Sequence, residues 1–319
     1  MTNIEILPFS ESYDEQVTAL FVKKYQQQRI VIPLLPELME DREVIKTMLA
    51  DSFDPMTGRV AVENGRVLGY LCWFIVDHFR ATSRRGAYVP EWGHACIETN
   101  KTRLYQMLYR AAGNLWAEAG CQVHAITLLA QDRSAEKAWY WNGFGLTVVD
   151  AIRPMQSLEI PPLTQITIRK ASTADAKALA QLDNEHREHY TQSPIFMAPR
   201  TGKDINENIE FLSQPKNSVW LAESDNQLVG FIRFDGYNFD TATILESEEG
   251  VTITGAYVRP TYRGQKVAVA LLDSALRDYQ SIGLKYCATN FESFNPEAVS
   301  FWMRYFEPVC FSVIRVPEA

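Results

Sequence analysis

The sequence predicts an α/β (α+β) chain in which one kind of domain occurs twice, and three observations point there. Two strand–turn–strand segments match, "GRVAVENGRVLGYLCWF" at 58–74 and "SVWLAESDNQLVGFIRF" at 218–234, with Gly69 and Gly230 in corresponding places. The stretches that begin at Leu104 and Ala268 also match in order. Each reads amphipathic helix, glycine stop, apolar strand, tryptophan-containing helix and last strand, at an offset of about 163 residues. Between the copies lies "MQSLEIPPLTQ" (Met155 to Gln165), whose adjacent prolines continue neither a helix nor a central strand.

The first copy opens with "IEILPFSESYDEQVTALF", a strand and then a helix. A hairpin follows, turning at Glu63-Asn64-Gly65. "LGYLCWFIV" (Leu68 to Val76) reads as a buried strand, and the long helix after Leu104 stops at Gly120. Asp132, Ala135 and Trp139 mark the next helix and Gly143-Phe144 its end. The pattern then restarts. "ITIRK" is a strand, Ser172 to Asp175 start a helix with capping chemistry, and Asp225-Asn226-Gln227 turns a second hairpin. Alternation through "VTITGAYV" makes a strand that Pro260 ends. Val267, Ala270, Leu271, Ala275 and Leu276 share one helix face, and Gly283 closes that helix. The boundaries that follow are domains at 1–155 and 165–319 with a linker at 156–164. Each is expected to be strand, helices, antiparallel meander, long helix, strand, helix, strand.

The 319 residues are 46% hydrophobic and 22% charged, a globular balance. A net charge of −8 argues against a nucleic-acid partner and suits a cationic small substrate. No apolar run reaches the roughly 18 residues of a membrane helix, so no membrane partner is expected. "MTNIEILPFSE" lacks the pattern of a signal peptide. Five scattered cysteines read as reduced core residues, and the expected location is cytoplasmic. His186 and His189, beside Glu185 and Glu188, lack a third metal ligand and read as a solvated helix face. No metal is expected.

The chemistry concentrates at "VTITGAYVRPTYRGQKVAVALL", Val251 to Leu272. A strand runs through Arg259, Pro260, Arg263, Gly264 and Lys266 into a helix. Free amides and the positive end of the helix dipole face outward at such a start. Gly264 permits close approach, and Arg263 and Lys266 add positive charge. The junction reads as a site for a phosphate-bearing ligand.

These residues resemble the GCN5-related N-acetyltransferase (GNAT) superfamily. Its pattern Arg/Gln-x-x-Gly-x-Gly/Ala after a Val-x-Pro strand end reads here Arg263-Gly264-Gln265-Lys266-Val267-Ala268 after Val258-Arg259-Pro260, with lysine in place of the middle glycine. The second signature reads Asn295, Ala298, Phe301-Trp302, with Phe306-Glu307 in place of Gly-Phe. In the first half, "HACIETNKTRLY" puts Asn100 in place of the arginine, Arg103 in place of the glycine and Tyr105 in place of a small residue. A tyrosine there would crowd a diphosphate, so the first domain reads as a degenerate copy.

The resemblance implies two GNAT-like domains, each a mixed, mostly antiparallel sheet flanked by helices. It implies acetyl-CoA as cosubstrate, its diphosphate on the amides from Arg263 to Ala268, with Val258, Arg259 and Asn295 also in the cofactor site. The strand around Val258 is expected to splay from "KYCATNF" (Lys285 to Phe291), with the Val258 N–H facing the thioester oxygen. Transfer to the amine of a small molecule follows. Glu292 is the first candidate base, with Asp235, Tyr237 and His189 behind it, and Tyr305 the candidate acid, because Trp302 stands where the family has a tyrosine. The chain would work as a monomer or homodimer. The alternative is a non-catalytic CoA- or nucleotide-binding sensor or scaffold.

Overall fold

Both hairpins form where their turn residues dictate. Asn64 and Gly65 in one, and Asp225 and Asn226 in the other, all take positive φ, the turn whose twist matches that of the paired strands. The computed structural model describes residues 4–50, 57–237 and 240–318; residues 1–3 of "MTNIEILPFSE" lie outside them.

The chain forms two units. In the first, β1 (Glu5–Pro8), α1 (Asp14–Val31) and α2 (Arg42–Ala50) precede the hairpin β2 (Gly58–Glu63) and β3 (Arg66–Cys72). Short strands β4 (Phe74–Val76), β5 (Gly86–Val89) and β6 (His94–Cys96) lead to α3 (Lys101–Glu118), β7 (Val123–Leu129), α4 (Arg133–Trp141) and β8 (Gly145–Pro154). In the second, β9 (Thr167–Lys170), α5 (Ala176–Thr191) and α6 (Ile205–Ser213) precede the hairpin β10 (Ser218–Ser224) and β11 (Gln227–Asp235). Then come β12 (Gly250–Val258), α7 (Val267–Ser281), β13 (Tyr286–Glu292) and α8 (Pro296–Tyr305); β14 (Glu307–Arg315) comes last and belongs to the first unit. In the first unit β1, β2, β3 and β6 form an antiparallel sheet while β5 pairs parallel with β7 in another; in the second unit β9, β10, β11 and β12 pair antiparallel and β12 pairs parallel with β13.

The contiguous halves expected from the repeat differ from these units in their last strand. Residues 307–319 group with the first unit, because β14 pairs antiparallel with β7 from Cys310 opposite Leu129 to Arg315 opposite His124. Residues 151–154 group with the second unit. The proline segment 156–164 carries neither helix nor strand. Its Ser157 hydroxyl and Leu158 N–H donate to Asp273 of α7.

The second unit has a helix layer on each face of its sheet. Val219, Leu221, Phe231 and Tyr257 meet Leu179 and Leu182 of α5 and Phe211 of α6. On the other face Phe234 packs on Tyr279 of α7, ring centres 5.0 Å apart. The first unit buries a denser aromatic core in which Tyr105, Tyr109, Trp116 and Trp139 take part.

His94, His124 and His186 are buried. Burial lowers all three below the usual histidine value, His94 and His124 to about 4 and His186 to about 3. The folded protein therefore refuses protons that the unfolded chain accepts below about pH 6.5. Stability is full above that pH and falls as pH drops towards the folded values, each histidine adding up to about 1.4 kcal/mol per pH unit. The urea midpoint is expected to fall steadily from pH 6 to pH 4; a flat profile would contradict buried neutral imidazoles.

Candidate active site

Strand pairing positions the junction read from the sequence. β12 pairs with β13 only from Gly250 opposite Tyr286 to Ile253 opposite Thr289, and beyond that the two strands part. A register shift on the β11 side, where Arg233 faces Gly255 and Phe234 faces Ile253, leaves Thr254 bulged at the point of parting. The Arg259 N–H donates to Val229 O on the β11 side at 2.9 Å. Strand alternation therefore turns the Val258 N–H and C=O towards the gap. The Val258 carbonyl accepts from Arg263 Nε at 3.0 Å.

A cavity of about 510 Å³ occupies this opening and extends to the start of α7. The first helical bond of α7 is donated by Ala270 to Lys266 O, so the amides of Val267, Ala268 and Val269 have no intrahelical acceptor. Gly264 has φ +76, and a Cβ there would meet only open space. Lys266 caps the helix with φ 65 and ψ 11, the left-handed region that favours glycine. The lysine therefore keeps the turn at a conformational cost. Lys266→Gly is expected to raise stability by about 1 kcal/mol, measured by urea unfolding, and to preserve the turn.

Val258, Arg263, Gly264, Lys266, Val267 and Ala268 all line the cavity, as do Asn295, Trp302 and Tyr305. The Asn295 side chain caps α8 by accepting from Ala298 N at 3.2 Å. Trp302 is buried against Phe301 and Phe306, and Tyr305 is half-buried. The remaining predicted residues are not among the lining. Gln265 donates to Thr261 O, and Arg259 makes a two-pronged ion pair with Glu185, at 2.7 and 2.9 Å. Glu292 ends β13 half-buried, close enough to Tyr190 for its charge to help raise that hydroxyl. Of the other candidate bases, His189 lines the cavity while Asp235 and Tyr237 do not.

Three lining residues carry more than the sequence reading gave them. His186 is not on a solvated face: it is 6% exposed and packs on Tyr190, Phe231 and Tyr257. The signal was available, since Leu179, Leu182 and His186 fall on one helical stripe. Tyr190 lies one turn on. Glu297 of α8 accepts from Arg263 Nη1 with both carboxylate oxygens at 2.6 Å and pairs with His189 Nε2 at 3.3 Å. Burial, then the Arg263 charge, lower His189 against the opposing pull of Glu297.

The corresponding region of the first unit is closed. Gly69 faces Cys96 as Gly230 faces Val258, so Cys96 and Val258 are equivalent. From there α3 starts after Ile97–Asn100 alone, whereas α7 starts after the longer Arg259–Lys266. The shorter connection leaves no counterpart of the Arg263 turn. Asn100 stands instead at the helix cap, left-handed like Lys266, which corrects the placement of Asn100 opposite Arg263. Lys101 follows it, its side chain 2% exposed, and binds Asp132 at 2.7 and 2.8 Å. Burial alone would raise the Asp132 carboxyl, but the charge and hydrogen bond of Lys101 outweigh it and hold the group at about 2. Where the second unit has its gap, His94 fills the space, accepting from the Tyr105 hydroxyl at 2.8 Å and donating to Thr127 O at 2.9 Å. Tyr105 thus blocks the strand gap.

Residues 180–306 match the family model described as acetyltransferase (GNAT) family. The chain carries a GNAT domain. By structure, 98% of the chain aligns with 95% of a GCN5-related N-acetyltransferase from Sphaerobacter thermophilus, with TM-score 0.57 at 13% identity. A fungal structure, the GCN5-related glucosamine N-acetyltransferase region of a multi-domain GH3 β-N-acetylglucosaminidase, aligns with TM-score 0.58 at 11% identity, over 98% of this chain and 38% of that one. At such identities the likeness is one of fold. No curated protein matches by sequence. The GNAT domain includes the parted strands, the α7 start and the cavity. Among the described residues no group of three or more metal-ligating side chains is placed to hold an ion, and no helix is long and apolar enough to cross a membrane.

Proposed function

We propose that the protein is an N-acetyltransferase whose second unit moves acetyl from acetyl-CoA to the amine of a small molecule. The observation that carries this reading is the juxtaposition of the strand gap and the open helix start in one cavity. The α7 amides and the positive charges of Arg263 and Lys266 suit a diphosphate. The gap suits an extended thioester arm, and the inward Val258 N–H is a donor for the oxygen that becomes negative.

In the reaction the amine nitrogen attacks the thioester carbonyl carbon. The C–N bond forms, the C–S bond breaks, and sulfur leaves with the electron pair. An alkyl ammonium has a pKa of about 10, so one proton must be lost before attack. Glu292 is the proposed acceptor of that proton through water, and Tyr305 the proposed donor to the departing sulfur. The second unit alone is the active one in this reading, because Lys101, His94 and Tyr105 occupy the equivalent space of the first.

Glu292 is not among the lining residues, which favours a second reading, a sensor that binds CoA or a nucleotide without turnover. Calorimetric titration with acetyl-CoA, followed by a free-thiol assay over a panel of amines, tests both. No acetyl-CoA binding overturns both as they concern CoA, and binding without thiol release across the panel leaves the sensor.

A further inference from the structure

The cavity is bounded from both faces of the sheet. α7 packs on the face that carries Phe234, α5 on the face that carries Phe231 and Tyr257, and residues of both helices line it. The faces communicate where β12 and β13 part. A thioester arm held from the α7 start therefore presents its carbonyl to the α5 side, and an acceptor must arrive there. This step rests on the transferase reading.

The α5 wall is aromatic. The His186 ring centre lies 4.7 Å from that of Tyr190, 5.6 Å from Tyr257 and 5.8 Å from Phe231. Phe301 and Tyr305 face the same cavity. Within this wall His186, 6% exposed, makes no side-chain hydrogen bond to any described residue, and neither does the Tyr190 hydroxyl. Neither residue is among the buried polar groups left without a partner, so both reach the cavity, and a ligand that displaces water there must hydrogen-bond to them in its place. Both stay uncharged near neutral pH. Burial, with the charges of Arg187, Arg233 and Arg263, suppresses protonation of the imidazole, and burial, with Glu292, suppresses ionisation of the phenol. The acidic side chain among the lining residues, Glu297, is already held by Arg263, while Lys266 and Arg304 also line the cavity, so an acceptor with several positive charges meets no free carboxylate there.

We propose that His186 and Tyr190 form the acceptor subsite, and that it takes a primary amine on a single aromatic ring bearing an uncharged hydroxyl or amide. The imidazole and the phenol each offer one donor and one acceptor, which matches a neutral polar group. The surrounding rings supply edge and face contacts to the aromatic body. The chain's overall negative charge is a poor guide here, because the site's own surroundings are cationic.

The test compares 4-hydroxyphenethylamine, phenethylamine, spermidine and kanamycin as acceptors with acetyl-CoA, in wild type, His186→Phe and Tyr190→Phe. Wild type is expected to favour the hydroxylated amine over phenethylamine by at least about tenfold in kcat/KM, since a site built for a hydroxyl rejects the analogue that lacks it. Each variant is expected to narrow that gap through KM while leaving the calorimetric Kd for acetyl-CoA unchanged. Tyr190→Phe removes one oxygen and keeps the ring, so the test stands even if His186→Phe does not fold. Best turnover with spermidine or kanamycin, or a preference that survives both variants, overturns the subsite and leaves the transferase intact. Acetyl-CoA binding with no thiol release from any of the four amines removes the subsite in favour of the sensor. Loss of acetyl-CoA binding in wild type removes the transferase itself.

Discussion

Arg263→Glu is expected to weaken acetyl-CoA binding at least about hundredfold, the largest single effect at the site. In the folded chain this guanidinium ties three things together. Its Nε donates to the Val258 carbonyl, its Nη1 holds both oxygens of Glu297, and its centre lies 5.8 Å from that of the Tyr257 ring. Glutamate at this position removes the bond to the strand end and faces Glu297 with a like charge. It also sets a negative group where the diphosphate is to bind. Two unit charges 4 Å apart interact by about 4 kcal/mol at an effective dielectric of 20, and a hundredfold loss needs only about 2.7 kcal/mol. Calorimetry on both proteins decides it, with a thermal melt to show that the variant folds. An unchanged Kd would remove Arg263 from the cofactor site. Glu297→Gln provides the opposite sign: it releases Arg263 from its internal anion and is expected to tighten binding several-fold.

What the sequence disclosed follows the range of the forces involved. The strand ended by Pro260, the hairpin turns and the helix start after Lys266 are set by neighbours in the chain, and local rules found them. The gap between β12 and β13 depends on pairing across the sheet, and only the family resemblance anticipated it. β14 was placed in the wrong company because strand pairing is non-local. A largely apolar stretch such as "CFSVIR" marks a strand but not its partner, which is β7. The first unit failed in a different way. The overall offset of the repeat stays close there because Pro90 to Gly93 stand where the second unit has only Thr254 and Gly255, which offsets part of the shorter connection into α3. Residue-by-residue matching through "HACIETNKTRLY" could not detect two opposing changes of length. His186 was hidden by composition: Glu185, Arg187, Glu188 and His189 surround it, and the polarity of the stretch outweighed one buried stripe.

The other large effect is structural and lies beneath that stripe. Arg233→Met is expected to destabilise the second unit by about 3–5 kcal/mol. Arg233 and Asp183 have side chains each 4% exposed and meet at 2.6 Å, joining β11 to α5. Asn208 of α6 completes the group, accepting from Arg233 Nη2 at 3.1 Å and donating to Asp183 Oδ2 at 3.1 Å. Methionine fills much of the same space but leaves the Asp183 carboxylate buried with only an amide for company, and an uncompensated buried charge is what makes such a loss large. Removing both charges, in Arg233→Met with Asp183→Leu, is expected to recover most of the stability, since the pair must offset its own desolvation. Urea unfolding of the two single variants and the double gives the coupling directly. A single-variant loss below about 1 kcal/mol would mean that water reaches Asp183 and that the pair does not fix α5. If the large loss is found, the double variant carries a functional consequence as well. α5 then loses its buried polar tie to β11 and keeps its half-exposed links through Glu185 and His189, so His186 and Tyr190 are held less firmly at the strand gap. The KM for the acceptor should rise while the Kd for acetyl-CoA, set at the α7 start on the opposite face, stays where it was.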